Sequence, residues 1–173
     1  RLAAVEVFIS TEDAKELSVV AAKVAVTSNN FSLAKEKYEN AISLGVPSSE
    51  SRLAEVKRWL DNETAKEASI TAATAAKNAG DIAAASKHVQ IAHGLGASSK
   101  ESRLAGVSTW LLQEDALLSA SRAMNSKMLV DARSSAKEAV RLGVSKSDRR
   151  LAAVEVFIAK EEAKEEAIAS AES

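Results

Sequence analysis

The tripeptide Arg-Leu-Ala recurs at Arg1, Arg52, Arg103 and Arg150, at intervals of 51, 51 and 47 residues. Aligning the chain on it brings far more than the tripeptide into register. Leu2, Leu53, Leu104 and Leu151 coincide, as do Val5, Val56, Val107 and Val154. An aromatic residue follows at Phe8, Trp59, Trp110 and Phe157. Farther on, Val19, Ile70, Leu117 and Ile168 correspond once four residues are deleted from the third segment between Trp110 and Leu117. Four residues is close to one α-helical turn of 3.6, so the deletion shortens a helix while nearly preserving its buried face. A strand could absorb it only by a different logic. The repeat is therefore helical and the fold class all-α.

Each unit reads as a long helix followed by a short one. In the second unit the long helix runs from about Ser51 to Ala79, with Leu53, Val56 and Leu60 as an apolar stripe continued by Ala68, Ala72, Ala75 and Ala79. Asp61-Asn62-Glu63-Thr64 is an alternative break in it, because Thr64-Ala65-Lys66-Glu67 is itself a capping-box string. Gly80-Asp81 is a helix stop followed by a helix start, with Gly in the left-handed position and Asp as N-cap.

The short helices carry apolar residues at i, i+4 and i+7: Ala34, Tyr38 and Ala41, then Ala85, Val89 and Ala92, then Ala132, Ala136 and Ala139. They open on Phe31, Ile82 or Leu129 and close on Leu44-Gly45, Leu95-Gly96 or Leu142-Gly143. Val46, Ala97 and Val144 after those glycines complete a Schellman-type signature. Ser98-Ser99-Lys100-Glu101 reads as a capping box opening the next long helix, with Pro47-Ser48-Ser49-Glu50 and Ser145-Lys146-Ser147-Asp148 as its counterparts. Turns this short set consecutive helices antiparallel. The expected architecture is a set of tandem helix-hairpin repeats, an α-solenoid or elongated antiparallel bundle of seven helices. Its units are residues 1–51, 52–102 and 103–149, with the start of a fourth at 150–173, together one continuous repeat domain.

Residues 1–9 and 150–158 are both RLAAVEVFI, and the match continues at Glu12/Glu161, Ala14/Ala163, Lys15/Lys164 and Glu16/Glu165. A larger repeat of three units is thereby expected. The chain reads as a piece of a longer tandem protein; the competing account makes the last long helix a polar cap, which repeat arrays require.

Asn30-Phe31-Ser32-Leu33-Ala34, with Tyr38, Ala41 and Pro47, resembles the second half of a tetratricopeptide repeat, and Gly80-Asp81-Ile82 with Ala85, Val89 and Ala92 carries the same pattern. The resemblance spans roughly twenty residues per unit, against a family period of about 34. The first unit is equally similar to a microtubule-interacting-and-trafficking three-helix hairpin. The tetratricopeptide resemblance implies an adaptor whose groove holds a partner peptide or helix.

Composition narrows the chemistry. With 23 Lys+Arg against 24 Asp+Glu, the chain lacks the basic excess of a nucleic-acid or anionic-membrane binder. It has no cysteine, which removes disulfides, thiolate metal sites and a Cys nucleophile, and leaves the compartment open. One Pro, six Gly, 3% aromatic and 46% apolar residues suit helices. No apolar run is long enough for a signal core or a membrane span.

No residue qualifies as catalytic, cofactor-binding or metal-binding. His88 and His93 are five apart rather than three or four, with His88 assigned to solvent and His93 to the core. Phosphate-loop and nucleophile-elbow motifs are missing from the sequence. Glu161, Glu162, Glu165 and Glu166 alternate with lysines as a solvated, ion-paired face. Asn30-Phe31-Ser32 and Asn62-Glu63-Thr64 are glycosylation sequons at a chance frequency, and Thr71 with Thr74 is too short a pattern to read as an ice-binding face. Trp59, Trp110, Phe8 and Phe157 fill one inter-helix layer per unit, with stacking on a planar ligand as the alternative. The function expected is that of a non-enzymatic structural or scaffolding repeat protein whose partners are other proteins or further copies of itself. The alternatives are the adaptor and, third, a carrier of an apolar ligand between alanine-lined helices.

Overall fold

Seven α-helices make up the described part of the chain: α1 (Leu2–Thr27), α2 (Phe31–Ser43), α3 (Ser51–Ala79), α4 (Ile82–Gly94), α5 (Ser102–Asn125), α6 (Leu129–Arg141) and α7 (Arg149–Ala171). The computed structural model describes residues 2–171, apart from the side chains of residues 3–5. Arg1, the Val5 side chain and Ser173, which figure in the sequence alignment, lie outside the described residues. Two units are each compact: Arg1–Ser69 with Gly94–Gly96, and Ile70–His93 with Ala97–Ser173.

The helix ends follow from local chemistry. After α2, Gly45 (φ +87°) lets Val46 N donate to Ala41 O at 3.0 Å and Gly45 N to Ile42 O at 2.9 Å. This is the Schellman pair, and it satisfies carbonyls that the helix itself leaves open. Gly143 does the same after α6, with Val144 N donating to Ala139 O at 3.0 Å. The long helices end alike, using Asn29 (φ 54°), Gly80 (φ 73°) and Lys127 (φ 57°) in the left-handed position. Asn30 then caps α2, its Oδ1 accepting Leu33 N at 3.1 Å. Asp81 caps α4 through Ala84 N at 2.9 Å. At α6 the capping residue is Met128, which has no side-chain acceptor to offer.

Two sequence expectations need correction, and one alternative, a break within the expected Ser51–Ala79 helix, falls away. The α5 cap is Glu101, not Ser98: its Oε2 accepts Leu104 N at 2.7 Å, while residues 98–101 form a turn closed by Glu101 N donating to Ser98 O at 3.0 Å. A carboxylate directly before the helix meets both its free N–H groups and its positive dipole end. The α3 helix does not break at Asp61–Thr64. Thr64 Oγ1 donates to Leu60 O at 2.8 Å, so the hydroxyl is satisfied within the helix instead of capping a new one.

The second correction is that the α3 stripe changes face. Leu53, Val56 and Leu60 are buried, but Ala68, Ala75 and Ala79 are exposed and Ala72 half-buried, while Ser69, Ile70 and Ala73 take the buried positions. Alanine is compatible with either environment, so a run of alanines does not announce its own buried face.

The cores are built largely from alanine. In the first unit Ala22, Ala25 and Ala34 pack with Val56 and Leu60, and Val19, Ala41 and Val46 with Leu53. In the second, Ile70 and Ala73 pack with Ala85, Val89, Ala92, Leu104 and Val107. Leu117, Ala120, Ala132, Ala136 and Ala139 surround Leu151 and Val154. Small side chains on facing helices let the backbones approach closely, and the sparse large residues fill what remains. Leu53, Leu104 and Leu151 each have 0% exposure.

Candidate functional site

The described residues hold no cluster of His, Asp and Glu able to bind a metal ion. His88 is half-buried and His93 exposed, the reverse of the sequence expectation. The reason lies in the repeat position: Ile42 and Val140, the counterparts of His93, are themselves 38% and 39% exposed. An apolar residue there is not evidence of a core. His93 Nδ1 lies 3.1 Å from Ala97 O, so its N–H tautomer donates to the turn after α4.

What the structure does concentrate is ionic chemistry at the starts of the long helices. Arg52 donates through Nη1 and Nη2 to the two carboxylate oxygens of Glu16 at 2.6 and 2.8 Å, and through Nε to Glu50 Oε1 at 2.9 Å. Glu50 in turn accepts Leu53 N at 2.8 Å. In the second unit Arg150 donates to Glu114 at 2.6 and 3.0 Å and to Asp148 Oδ2 at 3.1 Å. Asp148 accepts Arg150 N at 2.8 Å. At the α5 start Arg103 Nε donates to Glu101 Oε1 at 3.0 Å.

The planar guanidinium fork suits this double use, one edge toward the helix-capping acid and the other toward the preceding long helix. Hydrogen bonding to Arg52 holds the Glu16 and Glu50 carboxyls below their ordinary range, and Arg150 does so for Asp148. For Glu101 burial pulls the other way, and the Leu104 N–H together with Arg103 outweighs it. The same contacts push Arg52 and Arg150 above the usual arginine value.

A second polar contact recurs with the repeat. Asn62 Nδ2 donates to Leu95 O at 3.1 Å, and Gln113 Nε2 to Leu142 O at 2.8 Å. Both amides stand three residues after the unit's tryptophan and reach the carbonyl that ends the short helix. Together with the arginine contacts they locate the four-residue deletion. Glu16 stands eight residues after Phe8, whereas Glu114 stands four after Trp110, directly behind Gln113. The missing turn thus falls between Gln113 and Glu114, and both flanking contacts survive it. Neither the arginine nor the amide role was drawn from sequence, although the Glu–Arg interval of 36 residues at 16/52 and 114/150 was there to be read.

The aromatic residues enter the packing in three of four units. Trp59, Trp110 and Phe157 are half-buried against separate cores, and Trp59 lies 6.2 Å from the Phe31 ring at a 41° tilt. Phe8 is 65% exposed. Beside Phe31 a cleft of about 430 Å³ is lined by Glu63, Thr64, Lys66 and Glu67, with Lys66 Nζ donating to Glu63 Oε1 at 2.6 Å along α3. On α7, Lys164 pairs with Glu161 at 2.6 Å and Glu162 pairs with Arg133. Both sequon asparagines are engaged internally, Asn30 as a cap and Asn62 on Leu95.

Among the described residues no helix is long and apolar enough to cross a membrane. Comparison with protein-family models, curated proteins and solved structures returns no match, so the tetratricopeptide resemblance rests on the short-helix residues alone.

Proposed function

We propose that this chain is a non-enzymatic structural repeat protein, an α-solenoid-like array of long–short helix pairs that presents an extended lateral surface to other proteins or to further copies of itself. The observation that carries the reading is the reuse of one junction. The leucine after each internal arginine (Leu53, Leu104, Leu151) is fully buried, and the arginine reaches back 36 residues to a glutamate in Arg52–Glu16 and Arg150–Glu114. A junction that repeats in sequence and in contacts supports stacking of equivalent modules, each stabilised by its neighbours. The chemistry spent at these junctions is positional: arginines bind capping acids and amides bind helix-end carbonyls.

Small-angle scattering tests it. A compact chain of this length has a radius of gyration of about 16 Å. The structural reading requires a value well above that at infinite dilution. A value at the compact figure overturns it.

A further inference from the structure

The third unit gathers positive charge at a cleft where its repeat counterparts do not. Between α6 and α7 a cavity of about 300 Å³ has Ala136, Val140 and Ile158 as its apolar lining and Arg133, Lys137 and Lys146 as its cations. Glu155 is the acid beside them. In the repeat register the three cations stand where the second unit has Ser86, Gln90 and Ser99, and where the first has Lys35, Glu39 and Ser48. The floor differs too. Ala136 stands in place of Val89 and Tyr38, each of which packs into the core of its own unit. The smallest side chain of the three thus falls where the cations are added.

That charge is only partly spent inside the chain. Arg133 pairs with Glu162 through Nη2, while its Nε is buried without a hydrogen-bond partner. Lys137 and Lys146 are exposed and make no ion pair among the described residues. With Arg133 offset by Glu162, the two lysines have Glu155 alone against them, and the cleft is net positive. Its openness belongs to the repeat position. Gln90, His93 and Ser99 in the second unit, and Glu39, Ile42 and Ser48 in the first, have further helices after them and are exposed as well.

The polar stripe is longer than the cavity. Val130, Arg133, Lys137 and Val140 follow one another at helical spacing along one face of α6, a length of about 15 Å. Val130 is 76% exposed. We infer that this face is a docking groove for an acidic amphipathic segment of a partner protein, its carboxylates on Lys137 and Lys146 and its apolar side chains on Val130, Val140 and Ile158. Charge complementarity selects an acidic occupant, and a stripe of this length with apolar residues at both ends matches a peptide segment better than a single small anion. The net charge of −1 argues against an anionic membrane as the occupant. The inference rests on the reading of the chain as a surface offered to other proteins, and gives one such partner its chemistry.

Fluorescence anisotropy of labelled peptides titrated with the full chain tests it. The probes are Glu-Leu-Ala-Glu repeats, with Lys-Leu-Ala-Lys repeats of the same length as the control. Saturable binding of the acidic probe alone is expected at about 10–500 µM, as for a small contact rich in charge, and weakens as salt screens the lysines. Lys137→Glu with Lys146→Glu weakens it by about tenfold or more, whereas Lys87→Glu with Lys100→Glu, the same change of net charge at exposed sites elsewhere, leaves it within about twofold. Far-UV circular dichroism checks that both double variants keep the parent helicity. No saturation below about 1 mM, or equal loss in the two double variants, overturns the inference. So does retention of the parent on phosphatidylserine vesicles without peptide binding, which makes a membrane the occupant. Self-association that the Lys137 and Lys146 variant alone abolishes overturns it in favour of a second copy. Scattering on the chain without peptide measures its dimension separately, so the structural reading can stand while this one fails.

Discussion

Arg150 and Glu114 are 36 residues apart and form a two-pronged ion pair at 2.6 and 3.0 Å, while the same guanidinium holds Asp148, the acid that caps its own helix. Glu114 is the more enclosed partner, its side chain 13% exposed against 46% for Arg150. Replacing the arginine therefore strands an acid with little access to water. Arg150→Ala is expected to lower stability by roughly 1 kcal/mol, at the upper end for ion pairs of this exposure. Arg150→Lys recovers little, because a single ammonium cannot span both carboxylates. Urea midpoints of the three proteins decide it; an Arg150→Lys midpoint equal to the parent's refutes the forked role.

The pH dependence follows from the same contacts. Glu16, Glu50, Glu101, Glu138 and Asp148 all titrate below their ordinary values in the folded chain. Groups whose folded pKa is depressed add stability above their unfolded pKa, and that stability is lost as pH falls through the folded value. The ordinary values here are 4.5 for Glu and 3.8 for Asp. The urea midpoint should be level between pH 6 and 8 and fall steadily below about pH 5. Glu16→Gln should flatten the acid limb. A midpoint that rises on acidification contradicts the assignment.

Packing makes a sharper separation. Leu104→Ala empties a fully buried site and should cost about 2–5 kcal/mol, whereas Leu2→Ala in the monomer changes stability by less than about 0.5. Ala85→Leu, at a position with 0% exposure, should also destabilise, by about 1–3 kcal/mol, because the alanine is there to admit the facing helix. Equilibrium unfolding of each variant checks the order. An Ala85→Leu protein as stable as the parent would mean that the close approach of the helices does not depend on a small side chain at that position.

The sequence revealed the helices more readily than their contacts. The 51-residue interval and its four-residue deletion announce a helical unit, and Leu53, Val56 and Leu60 identify a buried face because large apolar side chains are costly in water. Ala68 and Ala75 mislead because a methyl group gains little from burial, so neighbours decide its place. His93 misleads for a related reason: Ile42 and Val140 make its position look apolar, although both are more than one-third exposed. The arginine junction was visible as a string but not as a function. Its meaning needs Glu16 and Glu114, each 36 residues upstream and on another helix.

Two glycines at the end of α4 separate backbone strain from space. Gly94 ends α4 and Gly96 sits at φ +85°, and an added Cβ would meet nothing within 4 Å at either. Gly96→Ala should therefore cost about 1–2 kcal/mol from the left-handed backbone alone. Gly94→Ala should be neutral or slightly stabilising, since alanine is the better helix former. Equal effects at the two positions would show that something other than φ governs the turn.

The α5–α6 corner is where the chain departs from its own pattern, and it can be repaired. The first unit has Asn29-Asn30 there and the second Gly80-Asp81, each pair supplying a residue tolerant of positive φ and then a side-chain cap. The third has Lys127 at φ 57° followed by Met128, which makes no side-chain cap bond. Lys127→Gly relieves the crowding of a Cβ in the left-handed region, worth roughly 1 kcal/mol, less the added freedom of glycine in the unfolded chain. Met128→Asp supplies an acceptor for the first turn of α6 and should add about 1 kcal/mol. Because Met128 is 52% exposed, little apolar burial is lost in the exchange. Adjacent residues can couple, so the double variant must be compared with the sum of the singles. If Met128→Asp leaves the urea midpoint unchanged while Asp81→Ala lowers it, the two corners do not share a capping geometry and their equivalence fails.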